Sequence, residues 1–128
     1  VSRILVDTDV WIWYLRGLPA AADRLDRLQG LMFSSMSWME LLQGFRNRAE
    51  QKAVMKSLEM RHAIRLPITA EISEWAVGLM ESQTLSHGLR SGDAIIAATA
   101  LRHDLVLLTG NVRHFASVDG LSIERCLP

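Results

Sequence analysis

Apolar residues along this chain come in two rhythms: short β-branched or leucine-rich runs, and longer stretches in which they return every third or fourth position. Ile4 to Val6 is the first short run and predicts a strand. Asp7-Thr8-Asp9 then leads into Val10 to Leu15, a predicted helix with Asp9 as its N-cap. Gly17 and Pro19 turn the chain into a second helix, Ala20 to Gln29, where Ala21, Leu25 and Leu28 alternate with charged residues until Gly30 stops it. Leu31 to Ser35 predicts a second strand. Ser37-Trp38-Met39-Glu40 matches a capping box, with serine at the N-cap and glutamate at N3, and opens a third helix running to about Arg46. Glu50 to Met60 continues helically, with Val54, Met55 and Leu58 on one side, so the two segments predict a helical hairpin.

Ala63 to Leu66 predicts a third strand, stopped by Pro67, and Thr69 caps a helix through Ile72, Trp75, Ala76, Leu79 and Met80 that Gly88 ends. Ser91 to Ala100 is nearly unbroken in small and branched apolar residues after Asp93. A helix apolar on almost all sides belongs inside a domain, which carries Asp93, in its first turn, to the edge of the core. Leu105 to Leu108 predicts a buried strand, followed by the turn Thr109-Gly110-Asn111, a helical turn through Phe115 and an edge strand near Leu121 to Glu124. Strands alternate with helices throughout. That alternation predicts an α/β fold whose central, mostly parallel sheet is covered by helices on both faces.

Composition narrows the picture further. A chain of 128 residues, 49% of them hydrophobic, has the size of one domain spanning 1–128 and can bury a real core. Lys plus Arg and Asp plus Glu both number 14, so no net field attracts nucleic acid and local patches must hold any such partner. Cys126 alone excludes an internal disulfide and any multi-cysteine zinc site; it reads as a buried thiol in a reducing compartment. No apolar run approaches the ~20 residues of a membrane span, and the expectation is a soluble cytoplasmic protein. His62, His87, His103 and His114 lack ligand spacing, and no phosphate-loop or dinucleotide glycine pattern is present. Trp11, Trp13, Trp38 and Trp75 read as core, with Trp38, beside Glu40, also placed to line a groove.

In open α/β sheets the ligand crevice lies beyond the carboxyl ends of the strands, and Asp7 and Asn111 each follow such an end. Glu40 and Asp93 sit in first turns of helices on the same expected side. Singly, each has a plain reading: Asp7 and Asp9 as turn and cap, Glu40 as capping-box partner, Asp93 as a helix-start charge, Asn111 as an N-cap. Together at one rim, three carboxylates repel unless a divalent cation neutralises them, and all-oxygen donors suit Mg²⁺ or, as a substitute, Mn²⁺.

The matching pieces Ile4-Leu5-Val6-Asp7-Thr8-Asp9, Ser37-Trp38-Met39-Glu40-Leu41, Gly92-Asp93-Ala94-Ile95-Ile96-Ala97-Ala98-Thr99-Ala100 and Leu108-Thr109-Gly110-Asn111-Val112-Arg113-His114-Phe115 resemble, in this order and spacing, the PIN-domain family. The likeness is to its VapC-like toxin ribonucleases and covers essentially the whole chain. It implies a PIN-like three-layer sandwich, with Asp7, Glu40 and Asp93 as metal-binding acids and Asn111 at the fourth position, where other members carry Asp. It further implies that Asp9 and Thr109 are secondary residues near the site. The implied activity is Mg²⁺-dependent endoribonuclease cleavage, by the toxin of a toxin-antitoxin pair, with a homodimer and a small antitoxin protein as partners. Acids repel an RNA backbone unless cations offset them, and Arg16, Arg46, Arg48, Arg90, Arg113 and His114 are the candidates for RNA contact. Two other readings stand beside this one: an RNA-processing PIN nuclease without an antitoxin, and a noncatalytic RNA-binding or protein-interaction domain whose acids are caps.

Overall fold

The computed structural model describes residues 3–128. Five short strands, β1 (Ile4–Val6), β2 (Met32–Ser34), β3 (Ile64–Leu66), β4 (Val106–Thr109) and β5 (Ile123–Arg125), form one sheet in the order β3-β2-β1-β4-β5. Every pairing is parallel. Helices α1 (Thr8–Leu15), α2 (Pro19–Asp26), α3 (Ser35–Gly44), α4 (Arg48–Met60), α5 (Ala70–His87), α6 (Ser91–Arg102) and α7 (Val112–Phe115) supply the connections.

The period of two along a strand divides the core between the faces of the sheet. Ile4, Val6 and Leu108 face one way and pack with Val10, Trp11, Ala21, Leu25, Leu41 and Leu58 from α1 to α4. Leu5 and Leu107 face the other way, against Ile96, Ala97 and Ala100 of α6 and Phe115 of α7. A third cluster explains why α6 is apolar all round. Ala94 and Ala98, one turn apart, pack on Ile72 and Ala76 of α5, so α6 lies between the sheet and an outer helix.

Several local details differ from expectation. Helix α1 begins at Thr8, and its N-cap is Asp7, whose side chain accepts from Thr8 N, so Asp9 is a first-turn residue. The capping box at Ser37 does not form. Ser34 caps α3 by accepting from Met36 N, because β2 hands directly into the helix and leaves no loop to reach Ser37. Helix α2 ends at Asp26, short of Gln29, and β5 starts two residues later than expected and ends one later. Thr69 and Gly88 do bound α5, the glycine in the left-handed conformation at φ 69°. Trp11 is buried and Cys126 is a buried free thiol, but Trp75 is 41% exposed on the outer helix, where no further layer covers it. Among the described residues no helix is long and apolar enough to cross a membrane.

Candidate functional site

Strands β1 and β4 are adjacent, yet the chain winds from β1 outward through β2 and β3 before crossing back to β4 and β5. The connections therefore leave β1 and β4 in opposite directions and open a crevice beyond their carboxyl ends, the usual ligand position in such sheets. Asp7 follows β1 and Asn111 follows β4, one on each lip.

Asp7 is only 4% exposed. Its Oδ1 accepts from Thr8 N at 2.8 Å, and its Oδ2 accepts from the Thr109 hydroxyl at 2.7 Å. These two donors do not neutralise it. Burial foremost, then the charges of Asp9 and Asp93, push its pKa from 3.8 up to about 7. Thr109 is a branch point, since its hydroxyl oxygen also accepts from Asn111 N at 3.0 Å and so holds the β4 turn against β1. Asn111 stands at the N-cap position of α7 with no capping bond from its side chain, which leaves the amide unspent.

Glu40 reaches the same crevice from α3. The Thr8 hydroxyl donates to its Oε1 at 2.7 Å and is also hydrogen-bonded to Ser37 Oγ at 2.9 Å. Thr8 thus ties Glu40 to the residue after Asp7. A Cβ placed on Gly92 would lie 3.4 Å from Glu40 Oε2, so α3 approaches the start of α6 closely, one residue before Asp93. Asp93 is partly exposed, with His114 Nδ1 at 3.6 Å from its Oδ2. Thr8, Ser37 and His114 thereby become supports of the acids. In the sequence Thr8 carries no assigned role and Ser37 reads as a cap; a hydroxyl immediately following the strand-end aspartate is the available signal.

Asp9 is drawn inward as well. It accepts from Val10 N at 2.7 Å and from Gly110 N at 3.1 Å, and burial raises its pKa. Its visible work is to pin the Gly110 turn to α1. A Cβ on Gly110 would fall 2.3 Å from Trp13 Cη2 and 2.9 Å from Asp9 Oδ2, contacts that no real Cβ makes. Gly110→Ala is therefore expected to destabilise the fold by roughly 1–3 kcal/mol through forced repacking of Trp13. Urea denaturation measures this, and an unchanged midpoint would mean that the indole yields freely.

The structure brings Asp7, Glu40, Asp93 and Asn111 to one rim but not into a closed cage. Among the described residues, no three acidic, histidine or cysteine side chains stand close enough to form a ready-made metal site. The donor set still fits a hard divalent ion. Mg²⁺ retains several waters and is held through one or two carboxylates rather than an all-protein cage. The buried, uncompensated charge of Asp7 is the kind that such an ion offsets.

Two clefts flank these acids. The larger, about 680 Å³, lies between α1, α3 and α4 and is lined by Ile12, Leu15, Arg16, Glu40, Leu41, Gly44, Phe45, Arg46, Glu50 and Val54. Arg46 is engaged there by Glu50 at 2.9 Å. The smaller, about 360 Å³, is lined by Gly110, Asn111, Val112, Arg113, His114 and Arg125. Arg90 is exposed at the N-cap of α6, and Arg48 is exposed at the first position of α4, outside both linings. Trp38 faces the core instead of a groove, edge-on to Phe33 and Phe45.

The sequence profile of the PIN domain matches residues 4–121, a span that holds every acid just described. The chain belongs to the PIN-domain family. Among PIN domains it is 40% identical over 130 residues to Ribonuclease VapC10 of Mycobacterium tuberculosis, covering 98% of this chain and 95% of that one. It is 34% identical over 116 residues to Ribonuclease VapC19 of the same organism, covering 87% and 90% respectively. In three dimensions this PIN domain superposes on a chain of a toxin-antitoxin complex from Klebsiella pneumoniae with a TM-score of 0.78, at 28% identity over 92% of this chain and 94% of that one.

Proposed function

We propose that this PIN domain is a Mg²⁺-dependent endoribonuclease and the toxin of a toxin-antitoxin pair. The observation that carries the reading is the crevice between β1 and β4, where a buried Asp7 with a pKa raised to about 7 shares one rim with Glu40, Asp93 and Asn111. The ribonuclease names of its relatives in Mycobacterium tuberculosis support the activity, and the toxin-antitoxin complex from Klebsiella pneumoniae supports the pairing.

Asp7, Glu40 and Asp93 would hold the ion, with the Asn111 amide as a neutral fourth donor. When bound, Mg²⁺ supplies activation of a water for in-line attack on the phosphodiester and charge stabilisation of the departing oxygen. The chain supplies position. Thr109 and Thr8 N orient the Asp7 carboxylate, Thr8 and Ser37 orient Glu40, and His114 stands against Asp93. The larger cleft, apolar along Ile12, Leu15, Leu41 and Phe45 and opening at Glu40, suits a segment of a small antitoxin protein that blocks the acids. The chain then acts in the cytoplasm as a homodimer, in keeping with the family resemblance.

The test is direct. Purified chain incubated with total RNA in Mg²⁺ should produce discrete cleaved ends, lose that activity in EDTA and regain it on addition of Mn²⁺. Intact RNA under all three conditions would overturn the nuclease reading. A small open reading frame immediately upstream whose co-expressed product silences cleavage is the expected result, and the lack of such a reading frame, or cleavage unaffected by its product, would favour an RNA-processing role.

A further inference from the structure

The two clefts beside the acids differ in charge. In the larger one Arg16 and Arg46 face Glu40 and Glu50, so its cations are balanced and much of its wall is apolar. No carboxylate lines the smaller one, and two guanidinium groups and an imidazole do. Among the described residues, neither the Arg113 nor the Arg125 guanidinium has an ion-pair or hydrogen-bond partner, and both residues are exposed. The neighbouring Glu124 does not offset them, because it lies on the other face of β5 and is held by Arg24, which keeps its pKa below the usual carboxylate range.

Strand register sets the distance from the acids. Arg125 is the β5 partner of Thr109 on β4, and the Thr109 hydroxyl is the group that holds Asp7. Adjacent strands lie ~4.8 Å apart, so the pocket begins one strand away from the carboxylates. Its other wall is α7, whose His114 contacts Asp93. A polyanion lying across the acids would leave the rim here. Free guanidinium groups around an open pocket match the planar, bidentate recognition of a phosphate.

Resting on the ribonuclease reading above, we infer that Arg113 and Arg125 form a subsite for one non-scissile phosphate of the RNA strand and set the register in which the strand crosses Asp93. They are positioning residues, since they touch the substrate away from the reacting atoms. Nothing in the sequence marks Arg125, because only the parallel pairing of β5 with β4 brings it beside Thr109.

The experiment measures binding of a labelled single-stranded RNA 20-mer against salt, with the cleavage-deficient Asp7→Asn chain as background. Each phosphate neutralised on a single strand contributes ~0.7 to the slope of log K against log salt. The double substitution should lower the slope by about 0.7, and Arg113→Ala and Arg125→Ala by no more than that each, since both arginines hold one phosphate. In the otherwise native chain the same substitutions should raise KM about tenfold and leave kcat within about twofold, as expected for lost binding without lost chemistry. A single methylphosphonate linkage at one position relative to the cut should weaken the native chain equally and leave the double variant indifferent. Arg125→Lys should recover most of the slope, and Arg102→Ala, at the far end of α6 and paired with Glu71, should change nothing. A slope equal to the parent's in the double variant, or a double variant still sensitive at that linkage, would overturn the subsite while leaving the nuclease intact. A native chain that neither binds nor cleaves RNA would overturn the ribonuclease reading and the subsite with it.

Discussion

Asp7→Asn is expected to abolish cleavage and, in EDTA at pH 8, to raise the melting temperature by several degrees. Asp7 is the most buried of the acids, and its two hydrogen-bond donors leave its charge largely uncompensated beside Asp9 and Asp93. The sign follows from linkage. Its folded pKa of about 7 lies above the ordinary 3.8, so between those values the folded chain binds more protons than the unfolded one. Stability therefore falls as pH rises through that window, and the full penalty is present above pH ~7, with a ceiling of about 4 kcal/mol that Asp9 shares. Asparagine does not titrate. It can accept from Thr8 N as before, and it exchanges the Thr109 bond for one donated by its own amide, at a cost of ~1 kcal/mol or less.

The stability gain of the variant should thus be large at pH 8 and vanish near pH 4. Mn²⁺ or Mg²⁺ should stabilise the parent at pH 8 and leave Asp7→Asn unmoved, because a ligand that binds only the folded state raises its stability. Melting curves at both pH values, with and without the ion, measure all of this. A variant that melts lower at pH 8 would show that the Asp7 charge is compensated in the folded protein.

Glu40→Gln is expected to lower kcat/KM for RNA at least ~100-fold while the metal-free protein melts within about two degrees of the parent. Losing a partner that merely supports a metal ligand costs ~10–100-fold, and a ligand's own charge should cost more. The substitution isolates charge. Glu40 does not cap its helix, which Ser34 does, so α3 loses nothing at its start. Glutamine can keep the Thr8 bond through its Oε1. Full cleavage by Glu40→Gln would reduce this residue to a neutral hydrogen-bond acceptor for Thr8 and remove α3 from the chemistry.

Much of this architecture was legible in the sequence because it depends on contacts close along the chain. The apolar runs at Ile4 to Val6 and Leu105 to Leu108 have no stable fate except a buried strand, and the Asp93 helix, lacking a polar face, had to lie inside. Thr69 and Gly88 act through bonds within one turn, so residue type alone placed the ends of α5. The positions of Asp7 and Asn111 follow from where β1 and β4 end, whereas Glu40 stands in the second turn of α3 rather than the first turn expected of it.

Where several residues could do the same local work, tertiary structure chose among them. Ser37 reads as the cap and Ser34 as part of a strand, and the pairing of β2 with β1 and β3 makes Ser34 the cap instead by ending the strand where the helix starts. Asp7 and Asp9 posed the same choice, settled by the β1 residue that the sheet buries last. The bond from Thr8 to Glu40 spans 32 positions and that from Thr109 to Asp7 spans 102, so no local pattern contains either. Trp75 reads as core in a helix that turned out to be the outer layer. Arg125 is an ordinary charged residue until strand order sets it beside Thr109. Local sequence decides which backbone an element adopts, but a side chain's partner depends on which elements the fold makes neighbours.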